Sequence, residues 1–265
     1  MSIIQCNRRP ASAEDLRVLV QGNYGHFTTM QVRDGRVRGL EFHLARLAQG
    51  TLELFGVVLE PGRVVDDMRH ALRIADAGAC TLRVSVFSRD FDVGSPCAAG
   101  DVDLLVAIAP PAQPPAAAMR VRSVRFERTA PHLKHVGTFA LFHQRRLAIQ
   151  SGFDDAVFVD GQRRISEGSL WNIGFGQGER VIWPQALALR GTTESLLRAG
   201  LEASGVEQGH REIGLADLEG FDAAFASNAR GIWPISAIDE TSFPRSVERI
   251  AALQATLDSR PWDII

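Results

Sequence analysis

Between Ile108 and Met119 the chain reads IAPPAQPPAAAM, four prolines and five alanines without a charge. Proline fixes φ and has no amide hydrogen, so neither a helix interior nor a central strand passes through such a run. The segment reads as an extended, semi-rigid linker. It divides the 265 residues into an N-terminal domain of 1–107, a linker of 108–119 and a larger C-terminal domain of 120–265. Both parts are long enough to bury cores of their own.

Hydrophobic periodicity fills in each part. HFTTMQVRDGRVRGL predicts a β-hairpin, because two β-rich runs flank Asp34-Gly35. LEFHLARLAQGTLELFG predicts a helix, with Leu40, Leu44 and Leu47 on one face, and GRVVDDMRHALRIADAG a second that ends at Gly78. TLRVSVFS and DVDLLVAIA read as strands. Beyond the linker, RVRSVRFE is a strand and Thr138 to Gln150 a helix closed by Ser151-Gly152. The short strands DAVFVD, RRIS, LWNIGF and RVIWP follow, then a helix over TESLLRAGLEASG. The strand AAFASNA, a loop and the helix SVERIAALQATL complete the chain. Strands and helices in this order imply an α+β fold.

The formal net charge is −2, so no basic excess exists to collect phosphates along a nucleic acid. No apolar run reaches the roughly 18 residues of a membrane span, and MSIIQCNRRP lacks the apolar stretch of a secretion signal. Cys6, Cys80 and Cys97 are odd in number and widely spaced, which predicts a cytoplasmic protein without disulfides. The seven histidines form no ligand-spaced cluster, so no metal site is expected. One count is unusual: of 29 basic residues only Lys134 is lysine. Arginine serves on a surface as well as lysine but stays protonated, whereas a lysine amine can lose its proton and attack a carbonyl. The single lysine is therefore a candidate nucleophile.

GFGQG (Gly174 to Gly178) lies between two strands and reads as a hairpin turn rather than a dinucleotide fingerprint. The block APHLKHVGTFALFHQRRLAIQSGFDDAVFVDGQRRISEGSLWNIGF carries more. Lys134, Gly152, Asp154-Asp155, Glu167-Gly168, Asn172 and Phe175 occur in it in a fixed order. LRGTTESLL and FASNARGIWPI lie downstream, and FTTMQVRDGRV with HLARL upstream. In this order and spacing the chain resembles the class IV, or fold-type IV, pyridoxal-phosphate enzymes. That family includes branched-chain and D-amino-acid aminotransferases and aminodeoxychorismate lyases, and the likeness covers nearly the whole chain.

The resemblance implies a two-domain α+β fold of the D-amino-acid aminotransferase type, with pyridoxal 5′-phosphate between the domains. It implies a homodimer in which one subunit's N-terminal domain helps to cover the partner's site. It implies that Lys134 carries the cofactor and shuttles a proton, and that Glu167 faces the pyridine nitrogen. Arg46, with Gly191, Thr192 and Thr193, would hold the phosphate, and Ser227, Asn228 and Ala229 would add cofactor or substrate contacts. Arg89 lies where some members carry a carboxylate-binding arginine. Thr28 or Thr29, but not both, would face the cofactor's open side, because neighbouring strand residues point oppositely. With Arg89 as the sole evident carboxylate receptor, a small or aliphatic amino acid is the expected donor.

Three departures from the family pattern stand out. NYGH replaces its usual Gly-Asp-Gly stretch, Glu194 stands where a basic residue is common, and Phe139 where some aminotransferases carry an aromatic hydroxyl. The leading expectation is amino transfer between an amino acid and a 2-oxo acid. The alternative is a lyase of the aminodeoxychorismate type. A non-catalytic binding protein on the same fold is the third reading, against which the joint retention of Lys134, Glu167 and Arg46 argues.

Overall fold

The computed structural model describes residues 3–97 and 100–265, and its chain resolves into two compact units. The first comprises Met1–Ala112, Leu133–Gly137 and Pro261–Ile265. Its elements begin with β1 (Ile3–Cys6), β2 (Arg9–Pro10), α1 (Ala13–Gln21), β3 (His26–Arg33) and β4 (Arg36–Val37). They continue with α2 (Leu40–Phe55), α3 (Pro61–Ala75), β5 (Ala79–Phe87) and β6 (Asp103–Ala109). Local chemistry explains the boundaries. Ser12 and Asp15 cap α1 reciprocally. Asp34 and Gly35 both take positive φ, 48° and 68°, as a tight turn between β3 and β4 requires. Proline opens α3. The apolar faces of α2 and α3 pack Leu47, Val64 and Met68 onto Met30, Val32, Val84 and Val106 of the strands.

The second unit comprises Gln113–His132 and Thr138–Arg260. It contains β7 (Met119–Arg125), α4 (Phe139–Gln150), β8 (Asp155–Val159), β9 (Ile165–Gly168), β10 (Asn172–Gln177) and β11 (Arg180–Pro184). After these come α5 (Thr192–Ala203), β12 (Gln208–Arg211), β13 (Ala223–Asn228), β14 (Gly231–Ile238), β15 (Thr241–Ser242) and α6 (Ser246–Asp258). The sheet order is β12-β11-β10-β13-β14-β7-β8-β9, with β15 beside β14. Its core holds Phe175, Trp171, Trp233, Ile165 and Ile235. The last strand, β16 (Asp263–Ile264), belongs to the first unit, whose sheet runs β16-β4-β3-β5-β6-β1-β2.

The structure differs from the sequence reading at several places. Ile108 and Ala109 complete β6 and Met119 opens β7, so the extended stretch is shorter than 108–119; buried Ile108 extends the strand's inward alternation. The segment read as a loop after β13 is the eight-residue strand β14. Pro234 disguises it, and is tolerated because pairing with β7 starts only at Ile235, where the register shifts. The N-terminal β1, β2 and α1 were not foreseen. Finally, the lysine segment Leu133–Gly137 groups with the first unit rather than the C-terminal one. Its backbone is stitched there: the Phe27 amide donates to the Lys134 carbonyl (2.9 Å) and the Val136 amide to the Gly25 carbonyl (2.9 Å).

Candidate active site

In the first unit, β3 sorts its two threonines by strand alternation. Thr28 lies on the face that packs against α2, fully buried, and shares a 2.7 Å hydrogen bond with His43 Nδ1. Thr29 points the other way, as do Phe27 and Arg83, which is paired with Thr29 across β3 and β5. The Phe27 ring gathers two cations: Arg83 Cζ at 3.6 Å from its centroid and Lys134 Nζ at 4.9 Å. Thr29, not Thr28, is thus on the lysine's side of the strand. Three residues along α2 from His43 stands Arg46. Burial holds the Arg46 guanidinium down at about 10, and burial, then the charges of Arg46 and Lys134, push His43 down to about 3. His43 is therefore neutral at working pH and adds no further charge to this cationic group.

The second unit assembles its candidates at one end of its sheet, where β10 begins and β13 ends; Asn172 and Ser227 are paired there. Glu167 lies on β9 and is buried, not at an exposed turn. Its Oε1 accepts from the Leu189 amide (3.3 Å) and lies 3.6 Å from Arg128 Nε. Asn172 Nδ2 donates to the Leu189 carbonyl (2.5 Å), and its Oδ1 fills the space where a Cβ on residue 191 would go. Only glycine fits at 191.

Gly191 precedes α5 with no side-chain cap, so amide groups of the first turn point outward unclaimed by a capping side chain. Two buried hydroxyls lie in the same region, Thr192 Oγ1 and Ser227 Oγ, and neither has a hydrogen-bond partner among the described residues. Buried polar groups are seldom left so unless a ligand claims them. Uncapped amides and orphaned hydroxyls together fit a phosphate. Thr193 and Asn228 play a different part. The Thr193 hydroxyl donates to the Asn228 carbonyl (2.8 Å), and the Asn228 side chain bonds Leu170 O and Arg230 N, so these two brace the turn that carries Ala229.

Arg89 is not available to a substrate. Its Nε and Nη2 donate to both oxygens of Asp103 (2.8 Å each), and Nη2 reaches Asp15 at 3.1 Å. The guanidinium ties the end of β5 to β6 and α1. Burial pushes Asp103 up, but hydrogen bonds from Arg89 and Asn7 bring it below the usual range; the Arg9 hydrogen bond foremost holds Asp15 low. Both carboxylates therefore contribute stability that is present above their unfolded values near 4 and lost as the pH falls below them. Arg89→Leu is expected to cost about 1–3 kcal/mol, since it strands two buried carboxylates while the guanidinium itself is partly solvent-screened. KM should stay unchanged. Thermal unfolding and steady-state kinetics of the variant check this, and a raised KM at intact stability would contradict it.

Sequence reasoning missed Arg83, Arg128 and His43. A charge in the middle of TLRVSVF and the three-residue spacing of His43 and Arg46 were available signals. For Arg128 there was none, because its approach to Glu167 depends on the path between β7 and α4.

The model of the amino-transferase class IV family matches residues 25–238. The chain belongs to that family. No curated protein sequence matches it. Among solved structures, the branched-chain amino acid aminotransferase of Escherichia coli superposes with a TM-score of 0.83 at 19% identity, covering 95% of this chain and 92% of that one. A hypothetical aminotransferase from Mycobacterium tuberculosis in a PLP-bound form gives 0.80 at 20% identity, covering 97% and 98%. A putative 4-amino-4-deoxychorismate lyase from Legionella pneumophila gives 0.80 at 18% identity, covering 91% and 92%. At these identities what is shared with this family member is the fold, a two-unit α+β architecture of the fold-type IV kind.

Proposed function

We propose that this class IV family member uses pyridoxal 5′-phosphate to move an amino group between an amino acid and a 2-oxo acid. The observation that carries the reading is Lys134: the only lysine of the chain stands beside Phe27 in the unit that holds Arg46. When bound, the cofactor supplies an electron sink for charge developing at the substrate's Cα. Lys134 Nζ would hold the cofactor and would then take the proton from Cα and return it. Glu167 would accept from the pyridine N–H and keep that proton in place. In the first unit Arg46 has the fork that would suit phosphate oxygens, and in the second Thr192, Ser227 and the first-turn amides of α5 are donors that would suit them too. Asn228 and Thr193 hold the turn that carries Ala229 in position. Thr29 and Arg83 stand on Lys134's side of β3, and Arg83 is a candidate for the substrate's carboxylate.

The second reading is a lyase of the aminodeoxychorismate type, favoured by the KHxxxF and SNA stretches and compatible with the same Cα proton removal. An amino donor alone separates the two. A transferase stops halfway, so the visible absorbance of the cofactor-loaded protein falls stoichiometrically and returns on adding a 2-oxo acid. We expect that behaviour with at least one L- or D-amino acid. Lasting absorbance with every amino acid, together with conversion of aminodeoxychorismate to 4-aminobenzoate, would establish the lyase instead. We extend the proposal to a cytoplasmic homodimer. In its support, the three cysteines are free, no helix among the described residues is long and apolar enough to cross a membrane, and α4 exposes Phe139, Phe142 and Ile149 for a second copy.

A further inference from the structure

Residues 185–191 run from the end of β11 to the uncapped start of α5. They also join the two ends of the candidate cofactor site in this unit. The Leu189 amide donates to Glu167 Oε1 (3.3 Å), and the Leu189 carbonyl accepts from Asn172 Nδ2 (2.5 Å). Two residues on, Gly191 leads into the first-turn amides and the orphaned Thr192 hydroxyl. The place of Leu189 therefore sets the separation between the Glu167 carboxylate and the helix start. Yet QALALRG holds no Pro, Asn, Asp or Ser, the residues that fix a turn locally. The Gln185 amide bonds the Arg211 carbonyl (2.8 Å), which fixes only the beginning of the stretch.

Its far end is held by Arg190. Nη2 donates to the Pro184 carbonyl (2.9 Å) and the Ala186 carbonyl (3.0 Å), and Nη1 donates to Glu194 Oε1 (3.3 Å) in the first turn of α5. One planar guanidinium thus folds the stretch back onto the end of β11 and pins it to the helix. Glu194 is buried and stands where the family's pattern is commonly basic. Its Oε1 also lies 3.6 Å from Arg198 Nη1, while Oε2 has no hydrogen-bond partner among the described residues. Burial pushes its carboxyl up, and Arg190 and then Arg198 act against that. A buried carboxylate with an unmet oxygen is costly to keep, and amino transfer makes no use of it. The anchor it provides for Arg190 accounts for its presence.

We propose that Arg190 is a positioning residue: anchored on Glu194, it fixes Leu189 and with it the distance between Glu167 and the first turn of α5. One cofactor must span that distance, with its pyridine nitrogen at one end and its phosphate at the other. Arg190 itself touches neither cofactor nor substrate. This role rests on the reading of Glu167 and the α5 start as the cofactor's partners.

The two ends can be probed apart and together, with pyridoxal, inorganic phosphate and pyridoxal 5′-phosphate as ligands of the cofactor-free protein. Joining two fragments gains affinity only while their partners sit at the matching distance. Arg190→Met should therefore bind pyridoxal 5′-phosphate about tenfold more weakly, while each fragment binds within about twofold of its wild-type affinity. Arg190 is partly exposed, so its replacement leaves the core in place. Arg190→Lys should recover part of the loss, and Glu194→Gln, which keeps an acceptor but not the charge, should fall between wild type and Arg190→Met. Equal weakening of the intact cofactor and of a fragment, or weakening of neither, overturns the proposal. Thr192→Val checks the underlying reading, since it should weaken inorganic phosphate and the intact cofactor alike. If Thr192→Val weakens neither, the phosphate assignment falls and the proposal with it; if it weakens both while Arg190→Met weakens neither, the positioning role alone falls.

Discussion

Lys134→Ala is expected to abolish both amino transfer and covalent attachment of the cofactor. It removes the chain's only lysine, and with it the base that takes and returns the Cα proton. Loss of the proton transfer alone is worth roughly 10²- to 10⁴-fold in rate, and loss of the covalent link adds to it. Arg46 and Arg83 lie in the same unit but stay protonated and cannot take over. For the same reason Lys134→Arg should be as inactive as the alanine variant, although it keeps the charge beside Phe27 and His43. Turnover and visible absorbance of the two variants measure this. Activity retained by either would remove the chemical role of the lysine.

The second large effect is at Glu167. Glu167→Gln is expected to keep the cofactor bound while turnover falls about 10²- to 10³-fold, as when one group that stabilises developing charge is lost. A glutamine matches the buried volume and can still meet the Leu189 amide at Oε1, but it brings no negative charge to hold a protonated pyridine nitrogen. Arg46→Ala should show the opposite balance, with cofactor affinity lower by roughly 10- to 150-fold and turnover at saturating cofactor less affected. Titration of each apo-variant with cofactor, followed by kcat at saturation, separates the two roles. Equal loss of affinity in both would contradict the assignment.

How far the sequence carried can be judged from single residues. Composition singles out Lys134, the one lysine among 29 basic residues, as the candidate nucleophile. Ordered motifs single out Glu167, Gly191 and Thr192 as candidates, and the structure adds what order cannot express: the Asn172 oxygen that forbids a Cβ at 191 and the orphaned Thr192 hydroxyl. Arg89 was misread because a strand-end arginine looks alike whether it faces a substrate or Asp103 and Asp15; its partners are 14 and 74 residues away. The choice between Thr28 and Thr29 depended on strand phase, which His43 settles from another element. Strand β14 was hidden by Pro234, whose tolerance depends on where pairing with β7 begins. In each case the illegible part is a long-range partner, and local pattern does not encode it.

The claim that the rest depends on is that the cofactor is carried by Lys134. Borohydride reduction of the cofactor-loaded wild-type protein, followed by proteolysis and peptide mass analysis, tests it directly. The account predicts one modified peptide, with the pyridoxyl mass on Lys134. An adduct on any other residue, or no adduct in a preparation holding stoichiometric cofactor, would contradict it.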